Sequence, residues 1–181
     1  METSRKLFIP VVLGTARMGR LSLHPARLVT EELSKRNGVE TDLIDIAKLP
    51  LPTNDAGEAI KNAEFATKMY RADALVIVSP EYNHGYSGLL KHVLDSCLKE
   101  YIHKAVGIVG VSAGPFGGVR VVQNLLPVMA SSDSLILGCK FLQRAKGALC
   151  RRRAFGGILH MAHRQVLKGI DLDGQDATPP S

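Results

Sequence analysis

Residues 74–95 read ALVIVSPEYNHGYSGLLKHVLD and contain the clearest structural signal in the chain. The apolar run Ala74–Ser79 shows no polar alternation, which is typical of a strand buried on both faces of a parallel sheet. Behind the loop that follows, four apolar residues recur at helical spacing: Leu90, Val93, Leu94 and Cys97. A buried strand, a loop and an amphipathic helix in this order predict one unit of an α/β fold.

The same alternation extends through most of the chain. Further strands are predicted at Lys6–Leu13, Leu43–Ile46 and Ala105–Ser112, and a fifth at Ser134–Leu137. Pro10 lies inside the first of these runs, although proline cannot donate a hydrogen bond to a strand ladder. The helical stripes between the strands are Ala26, Val29 and Leu33; Ile60, Ala63, Thr67 and Tyr70; and Val122, Leu125, Leu126 and Met129. This order predicts a parallel sheet covered by helices on both faces.

Length and composition fit a single globular domain. The chain has 181 residues, of which 45% are hydrophobic and 22% charged, enough to bury a substantial core. We expect the domain to span residues 1–170, and the polar, proline-ended residues 171–181 to form a disordered tail. Apolar runs stay short of the roughly 18 residues of a membrane helix, and the N-terminus lacks a signal-peptide core. Three scattered cysteines predict neither a disulfide framework nor a zinc site. We therefore expect a cytoplasmic protein with no membrane partner.

The positive charge is concentrated in one segment. The net charge is +6, and residues 134–170 carry eight basic side chains and no acidic one, so the remainder of the chain carries −2. A basic segment can attract phosphates, but a solvated face is the commoner reason for a run of charge. We therefore expect no nucleic-acid partner.

The first loop, residues 14–22 (GTARMGRLS), follows the first strand and enters a helix. Its glycines permit a tight turn. The hydroxyls of Thr15 and Ser22, the guanidinium groups of Arg17 and Arg20 and the helix N-terminus can all face one anion. The loop matches neither the dinucleotide pattern G-x-G-x-x-G nor the P-loop. An ordinary glycine turn with Ser22 as helix N-cap explains the same residues equally well.

Two more loops follow the third and fourth predicted strands. In the second loop, residues 79–88 (SPEYNHGYSG), Tyr82 and Tyr86 can wall a flat ligand and Asn83 can bind a heteroaromatic edge. The glycines of the third loop, residues 112–120 (SAGPFGGVR), can present backbone N–H groups to carbonyl oxygens. Either loop alone is consistent with a surface loop. Three such loops at the ends of the first, third and fourth strands favour one binding site, because ligands of open α/β sheets bind there.

Together, the loops resemble the NADPH-dependent FMN reductase family, flavodoxin-like proteins that include chromate, quinone and azo-dye reductases. The first loop resembles the family pattern G-[ST]-x-R-x-G-[RS]-x-[SN], and the third resembles [SG]-x-G-x-x-G-G. The run PEYNHGYSG with LKHVLD behind it resembles the family's second motif and is the most specific of the three. The resemblance covers roughly residues 6–137.

The resemblance implies a flavodoxin-like three-layer sandwich with a five-stranded parallel sheet in the order 2-1-3-4-5. It implies an enzyme that uses NADPH or NADH to reduce bound FMN, which then reduces a small-molecule acceptor (flavin, quinone, azo compound or metal oxyanion) by a ping-pong mechanism. Because the flavin carries the electron chemistry, we expect no catalytic side chain and no metal. The resemblance also implies a homodimer or homotetramer. It assigns FMN binding to Thr15, Arg17, Arg20, Ser22, Pro80, Glu81, Tyr82, Asn83, Ser112, Gly114, Gly117 and Gly118.

The resemblance ends at the atypical, basic part of the chain, residues 138–170. Apolar residues at helical spacing there can form a last helix, and the abrupt change in composition also fits a local frame slip in the coding sequence. Two other functions stay open: an electron-transfer flavodoxin, and a flavoprotein that senses or scaffolds. Flavodoxins are usually strongly acidic with a Thr/Ser-rich phosphate loop, whereas this chain has arginines in that loop.

Overall fold

The computed structural model describes residues 5–52, 62–130 and 135–143. The strands in these ranges are β1 (Leu7–Phe8), β2 (Val11–Leu13), β3 (Val39–Glu40), β4 (Leu43–Asp45), β5 (Ala74–Pro80), β6 (Ala105–Ser112) and β7 (Leu135–Gln143). The helices are α1 (Leu23–Ser34), α2 (Ala63–Arg71), α3 (Gly88–Asp95) and α4 (Val119–Ala130). Short 3-10 turns follow β4 (Ile46–Lys48) and α3 (Lys99–Tyr101).

Five strands form one parallel sheet in the order β4-β2-β5-β6-β7. The short strands β1 and β3 pair in parallel just before β2 and β4, with Leu7 opposite Val39. Since β1 and β2 belong to one chain segment, and β3 and β4 to the next, the segments lie in the order 2-1-3-4-5. The predicted flavodoxin-like α/β fold is therefore confirmed, with a divided first and second strand.

The division of the first strand has its cause at Pro10. The sequence predicted one continuous strand over Lys6–Leu13, but the regular strand stops at Phe8 and resumes at Val11. Pro10 has no N–H to donate, although its carbonyl still accepts from the Val76 N–H at 2.9 Å. The segment thus keeps its place in the sheet while losing one donor.

Three other predicted strands have different bounds in the structure. The second corresponds to two short strands, β3 and β4, and Ile46 belongs to a 3-10 turn, whose N-cap Asp45 accepts from the Ala47 N–H at 3.1 Å. The third includes Pro80, and the fifth reaches Gln143 instead of ending at Leu137. β7 pairs with β6 from Leu135 to Gln143, with one irregularity of register at Val106/Gly107.

The core lies on both faces of the sheet. On one face, α2, α3 and α4 pack against inward residues of the strands: Val12, Ile44, Leu75, Ile77, Val106 and Ile108. On the other, α1 packs through Ala26, Val29 and Leu33, as its spacing predicted, against the alternate residues of the same strands. This arrangement fixes the carboxyl ends of β2, β5 and β6 next to one another.

The predicted face of α2 is wrong. Phe65 and Met69 are buried, whereas Thr67 and Tyr70 of the predicted stripe point outward, and Tyr70 is 79% exposed. The physical reason is size, because two large apolar side chains one turn apart bury more apolar surface than a threonine and an amphipathic tyrosine. Residues 144–170, with the predicted last helix, and the predicted tail, residues 171–181, lie outside the described residues.

Candidate functional site

The three loops meet at the carboxyl edge of the sheet, where a cavity of about 270 Å³ opens between them. Its wall consists of Arg17, Gly19, Arg20, Leu21, Ser22, Pro80, Glu81, Tyr82, Val111, Ser112 and Ala113. Most of the predicted site residues therefore come together here. Five others are absent from this wall: Thr15, Asn83, Gly114, Gly117 and Gly118.

A larger cavity, of about 560 Å³, lies away from the loops, between α3 and α4. Its wall is mainly apolar, with Leu94, Leu98 and Met129 among the lining residues. The charged pair there, Lys91 and Asp95, is joined internally at 2.5 Å. Hydrogen-bond donors suited to an anion are therefore concentrated in the smaller cavity.

Gly14 fixes where the first loop leaves the sheet. Its N–H donates to the Val78 carbonyl at 2.8 Å, which continues the sheet by one bond. A Cβ at this position would lie 2.7 Å from Leu90 Cδ2 and 3.3 Å from the Ser79 Cβ. Ser87, the N-cap of α3, donates its hydroxyl to the Gly14 carbonyl at 2.8 Å. The start of the first loop is therefore tied directly to the second loop.

Arg20 is held by the end of β4. Its guanidinium pairs with the Asp45 carboxylate and also donates to the Arg17 carbonyl at 3.4 Å. The two side chains are only 17% and 11% exposed. Asp45 therefore balances the charge of Arg20, and the pair anchors the first loop to its neighbouring strand. The sequence placed Arg20 at an anion; in this structure Arg20 pairs with Asp45 and also lines the cavity.

Arg17 has a different environment, although it lies in the same loop. Its guanidinium carbon stacks 3.8 Å above the centroid of the Tyr82 ring, and among the described residues it has no carboxylate partner. The Tyr82 hydroxyl lies 2.9 Å from the Thr15 Oγ1, which also accepts from the Arg17 N–H at 3.2 Å. Thr15, Arg17 and Tyr82 thus form one cluster with an unbalanced positive charge.

Tyr82 connects the first and second loops. The sequence predicted that it walls a flat ligand; Tyr82 lines the cavity, and its side chain contacts Thr15 and Arg17 of the first loop. Only its backbone belongs to the turn of the second loop. The end of the cavity that holds the positive charge is therefore built by both loops.

Ser22 does not cap α1 with its side chain. The residue occupies the N-cap position, but its hydroxyl makes no capping bond and its backbone is already helical. The Ser22 Oγ and the Arg20 Nε are both buried without a hydrogen-bond partner in the part of the chain that the structure describes. Buried polar atoms of this kind cost free energy unless a ligand or water satisfies them. The simple N-cap alternative is therefore not what the structure shows.

The second loop contains a tight turn at residues 82–85. Tyr82 and Gly85 exchange backbone hydrogen bonds of 2.8 and 2.9 Å. The two central residues, Asn83 and His84, have φ values of 48° and 65°, which define a turn of the type I′ family. Asn83 therefore sets the backbone of this turn, and it is exposed beside the cavity instead of lining it.

The third loop ends in a close contact between two backbones, those of Gly118 and Gly110. Gly118 has φ of 83°, and a Cβ there would lie 2.6 Å from the Val111 N. A Cβ on Gly110 would lie 2.4 Å from the Gly118 carbonyl oxygen. These glycines thus allow α4 to start against β6. Gly114, in contrast, has nothing within 4 Å of its Cβ position and is the open part of the loop.

The family can now be identified from comparison with known proteins. The sequence model described as NADPH-dependent FMN reductase matches residues 9–147 of this chain. The chain belongs to the NADPH-dependent FMN reductase family. An FMN-dependent NADPH-azoreductase of Staphylococcus aureus (strain USA300) is 30% identical over 153 residues, which covers 76% of this chain and 81% of the relative. Membership in the family confirms an oxidoreductase and the expected cofactors, FMN with a nicotinamide donor.

Solved structures confirm the fold of this family member. The flavoenzyme NAD(P)H:(acceptor) oxidoreductase FerB from Paracoccus denitrificans has a TM-score of 0.67 at 19% identity, covering 91% of this chain and 93% of its own. A flavodoxin from Streptococcus pneumonia has a TM-score of 0.58 at 14% identity, covering 89% of this chain and 99% of its own. None of the helices in the described ranges has the length and apolar character that a membrane span requires.

The donors in the cavity fit FMN. A phosphate monoester carries nearly two negative charges at neutral pH. The cavity wall offers Arg17, which has no carboxylate partner among the described residues, and the Ser22 hydroxyl, which has no hydrogen-bond partner there. Thr15 is buried beside this wall, and its hydroxyl is bonded to Tyr82 and to the Arg17 N–H. The first-loop motif of the family thus supplies, in this chain, the donors that a phosphate group needs.

Asp45, Ser87 and Asn124 support the loops of this FMN reductase, and sequence reasoning missed all three. Asp45 is the acidic last residue of β4, which is a usable signal for a partner of the two arginines in the first loop. Ser87 matches an ordinary N-cap. Asn124 lies in the middle of a helix, and nothing in the sequence marks its hydrogen bond to the His84 carbonyl.

Proposed function

We propose that this chain is an FMN-dependent oxidoreductase that takes electrons from NADPH or NADH and reduces small-molecule acceptors by a ping-pong mechanism. The observation that supports this most is the Thr15–Arg17–Tyr82 cluster, a positive anchor without a carboxylate partner in the described chain, at the carboxyl edge of a flavodoxin-like sheet. This edge is where open α/β sheets bind their ligands.

The first loop would hold the phosphate of FMN. Arg17 supplies the charge, since a guanidinium and a phosphate form short, charge-assisted hydrogen bonds. The hydroxyls of Thr15 and Ser22 supply further donors, and Arg20, fixed by Asp45, keeps the loop in place. Tyr82 orients the Arg17 guanidinium by stacking beneath it.

The second and third loops would bracket the ring. Residues Pro80–Asn83 form one side, and the backbone of Ser112, Gly114, Gly117 and Gly118 forms the other. The Glu81 N–H donates to the Val111 carbonyl at 2.8 Å, so the two loops leave the sheet side by side. The open space at Gly114 lets a planar group approach the backbone closely.

When bound, FMN supplies the electron chemistry, accepting hydride from the nicotinamide and passing electrons to the acceptor. The chain contributes position and charge. Because a relative is described as an azoreductase, azo compounds belong to the proposed acceptors, with quinones, metal oxyanions and free flavin. We also propose a cytoplasmic homodimer or homotetramer and a single domain over residues 1–170, on the resemblance to the family.

A second function, an electron-transfer flavodoxin, draws support from the likeness to the Streptococcus pneumonia flavodoxin. Steady-state oxidation of NADPH with menadione as acceptor, measured with and without added FMN, separates the two. The proposed enzyme consumes NADPH catalytically and depends on FMN. A flavodoxin, or a flavoprotein that only senses or scaffolds, binds FMN without this turnover.

A further inference from the structure

The turn at residues 82–85 adopts an unfavourable backbone conformation. Asn83 and His84 are consecutive residues with positive φ, at 48° and 65°. This region is costly for residues with a Cβ, and asparagine tolerates it better than most side chains do. The turn is closed by the two backbone hydrogen bonds between Tyr82 and Gly85. Such a conformation persists when surrounding groups hold it.

One such group comes from α4. The Asn124 Nδ2 donates to the His84 carbonyl at 2.7 Å and to the Arg120 carbonyl, one turn earlier in its own helix, at 2.9 Å. Both amide protons are therefore used, one to fix the side chain and one to hold the turn. Asn124 is exposed, so packing into the core does not explain its position.

Glu81 makes a second connection between the turn and the same helix. Its Oε2 accepts from the Arg120 N–H at 3.3 Å, at the start of α4, where a negative charge is favourable. Its Oε1 lies 3.5 Å from the His84 Nδ1. The helix itself is seated on β6 by the close contact of Gly118 with Gly110. The turn is therefore attached to an element that is fixed to the sheet.

We propose that Asn124 is a positioning residue for the flavin ring, because it holds the 82–85 turn through the His84 carbonyl at a set distance from the third loop. This inference rests on the proposed function, since the two loops bracket the ring only if FMN binds between them. Asn124 lies outside all three motifs of the chain. Its role is to keep the distance between the second and third loops, which would bracket the flavin ring, constant in the absence of the cofactor.

The test compares two variants with the same chemical change at neighbouring positions. Asn124→Asp removes the amide donor at nearly constant size. Gln123→Glu makes the same amide-to-carboxylate change one residue earlier, on an exposed side chain with no recorded hydrogen bond among the described residues. Asn124→Ala serves as a second variant that adds no charge. The measurements are hydrogen exchange of residues 80–88 in the flavin-free protein and the dissociation constants of FMN and riboflavin.

We expect faster exchange in this segment for both Asn124 variants and no change for Gln123→Glu. The dissociation constants of FMN and riboflavin should rise by the same factor in the Asn124 variants, about 3- to 10-fold, which is the effect of one lost hydrogen bond. An equal loss of affinity for both flavins shows that the effect is at the isoalloxazine ring, because riboflavin has the ring but no phosphate. Restoration of affinity in Asn124→Gln, which keeps the donor, would support positioning.

Unchanged exchange in the Asn124 variants would overturn the inference. So would faster exchange with unchanged flavin affinity, or a loss confined to FMN, which would point to charge at the phosphate end. If the wild-type protein binds neither flavin, the proposed function fails and the positioning role fails with it. If the wild type binds both and Asn124→Asp binds them equally well, only the positioning role fails.

Discussion

Replacing Arg17 by alanine should weaken FMN binding without weakening the fold. The guanidinium stacks on Tyr82 and has no carboxylate partner among the described residues, so its removal leaves no buried charge behind. Hydrogen bonds to a charged group contribute about 1.5–3 kcal/mol, which corresponds to a rise in the FMN dissociation constant of about 10- to 150-fold. Loss of the exposed stacking contact itself costs only about 0.5–1 kcal/mol.

Fluorescence titration with FMN and riboflavin measures this effect, and urea unfolding of the flavin-free variant measures stability. Riboflavin lacks the phosphate, so its affinity should change less than about twofold. Arg17→Lys keeps the charge but loses the paired N–H donors of the guanidinium, so its FMN dissociation constant should lie between those of Arg17→Ala and the wild type. An unchanged FMN dissociation constant in Arg17→Ala would refute the phosphate assignment. Equal losses for FMN and riboflavin would instead place Arg17 at the ring.

Three further predictions concern the stability of the protein. Arg20→Ala leaves the Asp45 carboxylate without its cation and should lower the unfolding free energy by about 3 kcal/mol in urea titrations; the double variant with Asp45→Ala should recover part of this loss, and no recovery would contradict the pairing. Asn83→Gly should keep or raise stability, because glycine accepts positive φ, while Asn83→Leu should cost about 1–2 kcal/mol; equal stabilities would argue against the left-handed turn. Burial raises the pKa of the Tyr101 phenol well above its ordinary value of 10.0, so the unfolded chain releases this proton first and stability should fall as the pH rises above 10.0. Tyr101→Phe should flatten that fall, as urea midpoints between neutral and alkaline pH would show.

Much of the fold was predictable from local sequence. The runs Ala74–Ser79 and Ala105–Ser112 are continuously apolar and match β5 and β6 almost residue for residue, because central parallel strands are buried on both faces. The face of α2 was not predictable in the same way. A threonine and a tyrosine at helical spacing resemble an apolar stripe, and only tertiary packing shows that Phe65 and Met69 form the buried face.

The location of the site could be predicted from the sequence, but most of its side-chain contacts could not. The position of the three loops follows from strand order, so the motifs around Arg17, Tyr82 and Ser112 converge as expected. The partners of individual side chains depend on residues far away in the chain. Arg20 pairs with Asp45, 25 residues later, and the short loop motif contains no information about that carboxylate.

The same limit applies to the turn and to its support. The sequence of residues 82–85 fits a glycine-containing surface loop as well as a type I′ turn, because asparagine is common in both. The Asn124 side chain reaches the His84 carbonyl over 40 residues of sequence. Such a contact exists only after β5, β6 and α4 have taken their places.

An anaerobic titration of the purified, FMN-loaded protein with NADPH, followed by visible absorption, tests the proposed function most directly. We expect that one FMN binds per chain and that NADPH bleaches its oxidised flavin bands, with the colour returning when menadione is added. A protein that retains no FMN, or one whose bound flavin keeps its oxidised spectrum in the presence of NADPH, would rule out the proposed function.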